Sequence, residues 1–124
     1  MLAALCSPNV EGHLKDGDEI VTVALGFPTT LAPVLQNRLI PVFVDVDPKT
    51  YNPAPQRIED AVGPKTRAVF LPHPMGLPFD VSAVAAMCRR LGLIFIEDGC
   101  LAEGTRVVVP GGEKSIEDVR PGDL

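Results

Sequence analysis

The stretch Leu93-Ile94-Phe95-Ile96-Glu97-Asp98 decides the fold. Four apolar residues in a row lack the alternation of a half-solvated strand, so the run suits a strand covered on both faces. It breaks sharply at two acids. What precedes it reads as a helix. Asp80 is an N-cap, and Val81, Val84, Cys88 and Leu91 recur at helical spacing. Arg89 and Arg90 occupy the last turn, where the helix dipole favours cations, and Gly92 supplies the C-cap. Toward the N-terminus the same alternation repeats. Ala68 to Pro72 is a strand, and Pro55 to Val62 is a helix with proline at its start and Gly63-Pro64 as its stop. Pro41 to Asp47 is a strand, and Glu19 to Ala24 another, entered from the turn Asp16-Gly17-Asp18. Between them Thr29 to Asn37 forms a short helix capped by Thr29 or Thr30, with Pro33 tolerable only in its first turn. Four strands alternating with three helices predict an α/β layer built on a parallel sheet. Functional groups of such sheets gather beyond the carboxyl ends of the strands. That rule nominates Gly26, Phe27, Asp45, Asp47, His73, Glu97 and Asp98.

Composition narrows the function classes. A chain of 124 residues and 13.2 kDa is one domain or part of one. Its 46% hydrophobic share and mean hydropathy of +0.21 exclude a disordered or purely solvating segment. The net charge of −5 argues against nucleic-acid and acidic-membrane partners. No window approaches the roughly 18 apolar residues of a membrane span. The start, MLAALCSPNVEGH, has no basic region, so a cytoplasmic location is expected. Cys6, Cys88 and Cys100 are an odd, scattered set that fits a reducing compartment and neither a disulfide framework nor a metal site. Cys88 lies on the apolar stripe of its helix and reads as buried and inert. The 13 prolines, about twice the average share, fall mostly in strand-end loops.

After Cys100 the texture changes. Arg106-Val107-Val108-Val109, the turn Pro110-Gly111-Gly112 and the pieces Ile116-Glu117-Asp118-Val119 and Arg120-Pro121-Gly122-Asp123-Leu124 read as all-β with tight turns. A doubly wound sheet would place a helix there. A boundary is therefore expected at Gly99/Cys100, giving two parts, 1–99 and 100–124.

On spacing alone, Asp98 reads as a solvated turn acid, as a helix N-cap, or as an acid that binds a cation or a protonated heterocycle. Phe27 reads as a core residue or a stacking surface, His73 as a loop histidine, and Glu97 as solvated. The wording of the chain adds a resemblance. GDEIVTVALGFPTT (17–30), PVFVDVDPKTYN (41–52), PKTRAVFLPHPMGLPFD (64–80) and LIFIEDG (93–99) resemble the large domain of the DegT/StrS family of pyridoxal-phosphate sugar aminotransferases and dehydratases. GFPTT together with PFD is most similar to the RfbH-like branch, which dehydrates CDP-4-keto-6-deoxyglucose. The resemblance implies a partial fold-type I sheet and a role for three residues. Asp98 matches the acid that pairs with the pyridine nitrogen, Phe27 the aromatic residue that stacks on the cofactor ring, and His73 a histidine close to the cofactor. Gly26, Pro28 and Thr29 would shape the loop beside them.

The resemblance also implies parts that these residues do not supply. The Gly/Ser-rich turn that cradles the phosphate belongs upstream of Leu2. The lysine that anchors the cofactor covalently belongs well downstream of Asp98, and Lys15, Lys49 and Lys65 stand in the wrong places for it. In the dehydratase branch a histidine replaces that lysine and an iron–sulfur cluster assists. The expectation is a chain without dehydratase or aminotransferase activity of its own. Its parent would act on a nucleotide-linked keto-sugar, as a homodimer, in lipopolysaccharide or deoxysugar biosynthesis.

Residues 100–124, CLAEGTRVVVPGGEKSIEDVRPGDL, resemble the first block of an intein, the Hint splicing fold. The resemblance implies that Cys100 is the splicing nucleophile and the Gly99 carbonyl its target, since a thiol is a good nucleophile and glycine offers no side chain to hinder approach. The Thr-x-x-His block, the terminal His-Asn pair and the downstream flanking nucleophile do not occur in this stretch. Three readings follow: an intein continuing past Leu124, the N-terminal half of a split intein completed by a C-terminal partner, and a truncated α/β piece with no intein at all.

Overall fold

The computed structural model describes residues 2–99, 104, 106–109, 112–115 and 118. Its main body is a four-stranded sheet in the order β2-β1-β3-β4, every pair parallel. The strands are β1 (Glu19–Val23), β2 (Ile40–Val44), β3 (Thr66–Pro72) and β4 (Ile94–Asp98). Helices α1 (Leu2–Leu5), α2 (Pro28–Gln36), α3 (Pro55–Asp60) and α4 (Val81–Leu91) accompany them, with a 3-10 turn at Pro74–Gly76. The expected α/β class and parallel sheet are both present.

Strand alternation explains the layers. Along β1 and β3, Ile20, Ala68 and Phe70 join one apolar cluster with Leu2, Leu14, Val34 and Ile96. Val21, Val23, Val69 and Leu71 join the other, with Ile58, Val84, Met87 and Cys88. Both faces of the central strands β1 and β3 are therefore buried, one under α1 and α2 and the other under α3 and α4. The apolar run Leu93 to Ile96, expected to be covered on both faces, instead enters the edge strand β4, where Ile96 is buried and Ile94 and Phe95 are half-buried. The chain leaves β1 toward β2 on one side, then crosses back to β3 and β4 on the other. That reversal sends α2 to one face and α3 and α4 to the other, and it opens a crevice beyond the carboxyl ends of β1 and β3.

Local rules account for most element ends. Asp80 caps α4, its Oδ1 accepting from the Ala83 N–H at 2.9 Å. Gly92 closes the helix in the left-handed conformation, φ 67, where a Cβ would be strained. Pro41 sits in the outer strand β2. Because the Ile40 N–H donates to the Asp18 carbonyl of the β1 side, alternation turns the Pro41 nitrogen outward, where no ladder bond is lost.

Several expectations are corrected. The α2 cap is Phe27, in extended backbone and without a side-chain cap bond. Pro28 starts the helix through its fixed φ, and neither Thr29 nor Thr30 caps it. Pro33 lies inside α2, beyond the first turn. It leaves the Thr29 carbonyl without its i+4 donor, and the helix stops soon after. There the Asn37 N–H and Nδ2 both donate to the Pro33 carbonyl, at 3.2 and 2.7 Å. In α4 the buried face is Val84, Met87 and Cys88, whereas Leu91 is exposed. Helix α3 ends at Asp60 instead of Val62, β2 ends at Val44, and β3 starts earlier, at Thr66.

Beyond Gly99 the described residues form an antiparallel pair, β5 (Arg106–Val109) and β6 (Gly112–Ser115), in register from Arg106↔Ser115 to Val109↔Gly112. The β texture expected there is present in these two strands. Cys100, Pro110 and Gly111 lie outside the described residues. No described helix is long and apolar enough to cross a membrane.

Candidate functional site

The crevice at the switch point is a cleft of about 550 Å3. Leu25, Gly26 and Phe27 enter it from the β1–α2 connection, Thr29 and Thr30 from the first turn of α2, Pro72, His73, Pro74 and Gly76 from the end of β3 and the turn after it, and Asp98 from the end of β4. The β1 end, the β3 end and the β4 end thus converge, and with them Phe27, His73 and Asp98. Asp45 and Asp47 do not line the cleft. Asp47 instead organises its own turn, its Oδ1 accepting from the Lys49 and Thr50 N–H groups at 2.7 and 3.4 Å.

Asp98 is the last residue of β4, in register with Pro72. Its Oδ2 accepts a hydrogen bond of 2.6 Å from the Thr30 hydroxyl, and its carbonyl accepts from the His73 N–H at 3.2 Å. Thr30 is 4% exposed, so this bond is shielded from competing water. Phe27 differs sharply: its side chain belongs to a residue 65% exposed, the highest value among the exposed large apolar residues described. An aromatic ring left bare on the lip of a cleft is a surface without a covering partner.

His73 is held on several sides. Its ring stacks on Phe79, with centroids 4.6 Å apart and planes 6° from parallel, and Phe79 in turn meets Phe95 edge-on. Its Nε2 lies 3.0 Å from Glu97 Oε2. Glu97 is therefore paired, not simply solvated as its position suggested. Gly26 is not required by space, since a Cβ there would meet only Pro72 Cγ at an ordinary 3.5 Å.

Two cleft residues have roles that the sequence does not announce: Thr30 bonds Asp98 where a helix cap is expected, and Tyr51 carries no expected role. Tyr51 stands on the cleft wall with φ 57, a left-handed conformation that costs a side-chain-bearing residue roughly 1–2 kcal/mol. The turn around it supplies the support: the Tyr51 N–H donates to the Asp47 carbonyl at 2.7 Å, and Asn52 Nδ2 donates to the Leu77 and Pro78 carbonyls at 3.3 and 3.2 Å. A smaller cavity of about 190 Å3 adjoins the cleft and shares Gly26, Phe27, Thr30 and Pro72 with it. Among the described residues no group of three or more metal-ligating side chains comes together.

A half-buried carboxylate at a strand end, beside a bare aromatic ring, can hold a flat heterocycle and keep a proton on its nitrogen. Comparison puts a class to this arrangement: the fold is that of the fold-type I aminotransferases. The chain belongs to the DegT/DnrJ/EryC1/StrS aminotransferase family, whose profile matches residues 1–111. It is 50% identical over 105 residues to the lipopolysaccharide biosynthesis protein RfbH of Salmonella typhimurium, covering 84% of this chain and 24% of that protein. It is 47% identical over 105 residues to dTDP-4-dehydro-2,6-dideoxy-D-glucose 3-dehydratase of Saccharopolyspora spinosa, covering 84% and 23%. The chain thus spans about a quarter of the length of these relatives. Among solved structures it is similar to Escherichia coli GDP-4-keto-6-deoxy-D-mannose-3-dehydratase with bound hydrated PLP, at a TM-score of 0.74 and 32% identity over 84% of this chain and 26% of that one.

Proposed function

We propose that residues 1–99 supply the ring-binding half of a pyridoxal-phosphate site in an enzyme that dehydrates or transaminates a nucleotide-linked 4-keto-6-deoxy sugar. The observation that carries this reading is the convergence of Asp98, Phe27 and His73 on one cleft. The residues fit the cofactor: a carboxylate for the pyridine nitrogen, an exposed ring for its face, and an apolar wall around both. Bound there, pyridoxal phosphate supplies an electron sink. Asp98 would accept a hydrogen bond from the protonated ring nitrogen and so hold the proton on that atom. Phe27 would cover one face of the ring and exclude water from it. His73, fixed by Phe79 and Glu97, would wall the cleft without moving. The similarity to two 3-dehydratases favours dehydration; the choice of sugar, the iron–sulfur cluster and the homodimer belong to this proposal. Titrating the full-length protein with pyridoxal phosphate tests it: a new visible absorbance band that saturates supports the site, and a spectrum unchanged from free cofactor removes it.

We further propose that residues 100–124 begin an intein. The support is local: a tight antiparallel pair stands where a doubly wound sheet would continue into a helix. Gly99 is exposed and directly follows the strand that bears Asp98. In the proposed step the Cys100 sulfur attacks the Gly99 carbonyl carbon, the Gly99–Cys100 C–N bond breaks, and the thiol proton ends on the released Cys100 amine. A thioester replaces the peptide bond. A second reading, an uninterrupted host in which Cys100 is an ordinary residue, has its own support, because the family match runs past Gly99 to residue 111.

A further inference from the structure

We infer that Thr30 is a positioning residue for the cofactor-pairing acid, setting the orientation of the Asp98 carboxylate through a hydrogen bond from α2 to β4. The inference rests on the proposed cofactor site and goes beyond it, because Asp98, Phe27 and His73 can be nominated from wording while Thr30 cannot.

The geometry is specific. Thr30 belongs to the first turn of α2, and its backbone N–H donates to the Phe27 carbonyl at 3.0 Å. A threonine hydroxyl in a first helical turn ordinarily bonds locally, to its own turn. This one crosses 68 positions to Asp98 Oδ2 at 2.6 Å, in the short range typical of O–H···O⁻ bonds. A hydroxyl has a single proton to give. Given to Asp98, that proton makes Oδ2 the acceptor of this bond and fixes which way the carboxyl group faces. One accepted bond also leaves the group capacity for another donor.

The bond further ties the two faces of the cleft together. Phe27 is the N-cap of α2, so the stacking ring and the hydroxyl sit on the same helical turn. Fixing Thr30 to Asp98 fixes the distance between the surface that covers the ring and the acid that meets its nitrogen. Thr30 is buried at 4% exposure, so water is poorly placed to replace it.

The test uses the full-length protein loaded with pyridoxal phosphate labelled with 15N in the ring, reading the pH at which the bound ring nitrogen loses its proton. Thr30→Val keeps the shape and removes the donor; Thr30→Ser keeps the donor. We expect Thr30→Val to lower that pH by about one unit, the scale of one charge-assisted hydrogen bond, and Thr30→Ser to restore it. Should Thr30→Val fail to fold, Thr30→Ala carries the same comparison against Thr30→Ser. A titration unchanged or raised by removing the hydroxyl, or equally lowered in Thr30→Ser, overturns the positioning role. A wild-type ring nitrogen that does not respond to Asp98→Asn overturns the cofactor site itself, and the role of Thr30 with it.

Discussion

The Thr30 hydroxyl donates to Asp98 Oδ2 at 2.6 Å, joining the first turn of α2 to the last residue of β4. This single bond links the two sides of the switch-point cleft. It follows from topology: β1 and β4 flank β3 on opposite sides, and the connection leaving β1 leans across the β3 end toward β4.

Phe27 should matter for cofactor affinity and little for folding, because its ring is largely exposed. Stacking of this kind is worth about 0.5–1.5 kcal/mol, so Phe27→Ala should weaken pyridoxal-phosphate binding roughly twofold to twelvefold, with Phe27→Tyr near wild type. Equilibrium dialysis reads the affinity and thermal melting the stability. A large drop in melting temperature with unchanged affinity would assign Phe27 to packing.

The ends of α4 should behave as separate local contributions. Asp80→Ala removes the cap bond to the Ala83 N–H and should cost about 1 kcal/mol. Gly92→Ala forces a Cβ into φ 67 and should cost roughly 1 kcal/mol as well. Urea unfolding of the single and double variants should give additive losses within about 0.5 kcal/mol, and a strongly non-additive pair would mean that α4 ends are coupled through repacking.

Burial pushes the Cys88 thiol above its ordinary value of 9.0. The folded chain thus keeps Cys88 protonated at a pH where the unfolded chain has begun to ionise. The resulting stability is present below that ordinary value and is lost as pH rises through the folded one. The fall in urea midpoint between about pH 8 and pH 10 should therefore be larger in the wild type than in Cys88→Ala. An equal or smaller fall in the wild type would remove Cys88 from the alkaline response.

Cys100 should decide the fate of the Gly99 junction. In the full-length precursor, added thiol should release a fragment ending at Gly99, and Cys100→Ala should abolish the release. Mass spectrometry of the products checks both. Thiol-independent products, or no cleavage in the wild type, would favour the uninterrupted host.

What could be read from the residues was what short-range rules control. The Asp80 cap and the Gly92 stop are settled within a few positions of themselves, and β3 announces itself because both its faces are buried, whereas the equally apolar run of β4 lies at the sheet edge. The α2 cap misled because threonine is a favoured cap, yet here Pro28 begins the helix and Thr30 has a distant partner. Glu97 looked solvated because its partner His73 lies 24 positions back. Tyr51 gave no signal at all, since its left-handed backbone depends on the turn bonds from Asp47 and on the clamp at Asn52. The cofactor roles proposed for Asp98, Phe27 and His73 are legible only through the wording they share with relatives.

The most direct test of the account is the protonation state of ring-15N-labelled pyridoxal phosphate bound to the full-length protein at neutral pH. The account predicts a protonated ring nitrogen in the wild type and an unprotonated one in Asp98→Asn. A nitrogen unprotonated in the wild type, or one still protonated in Asp98→Asn, would contradict it.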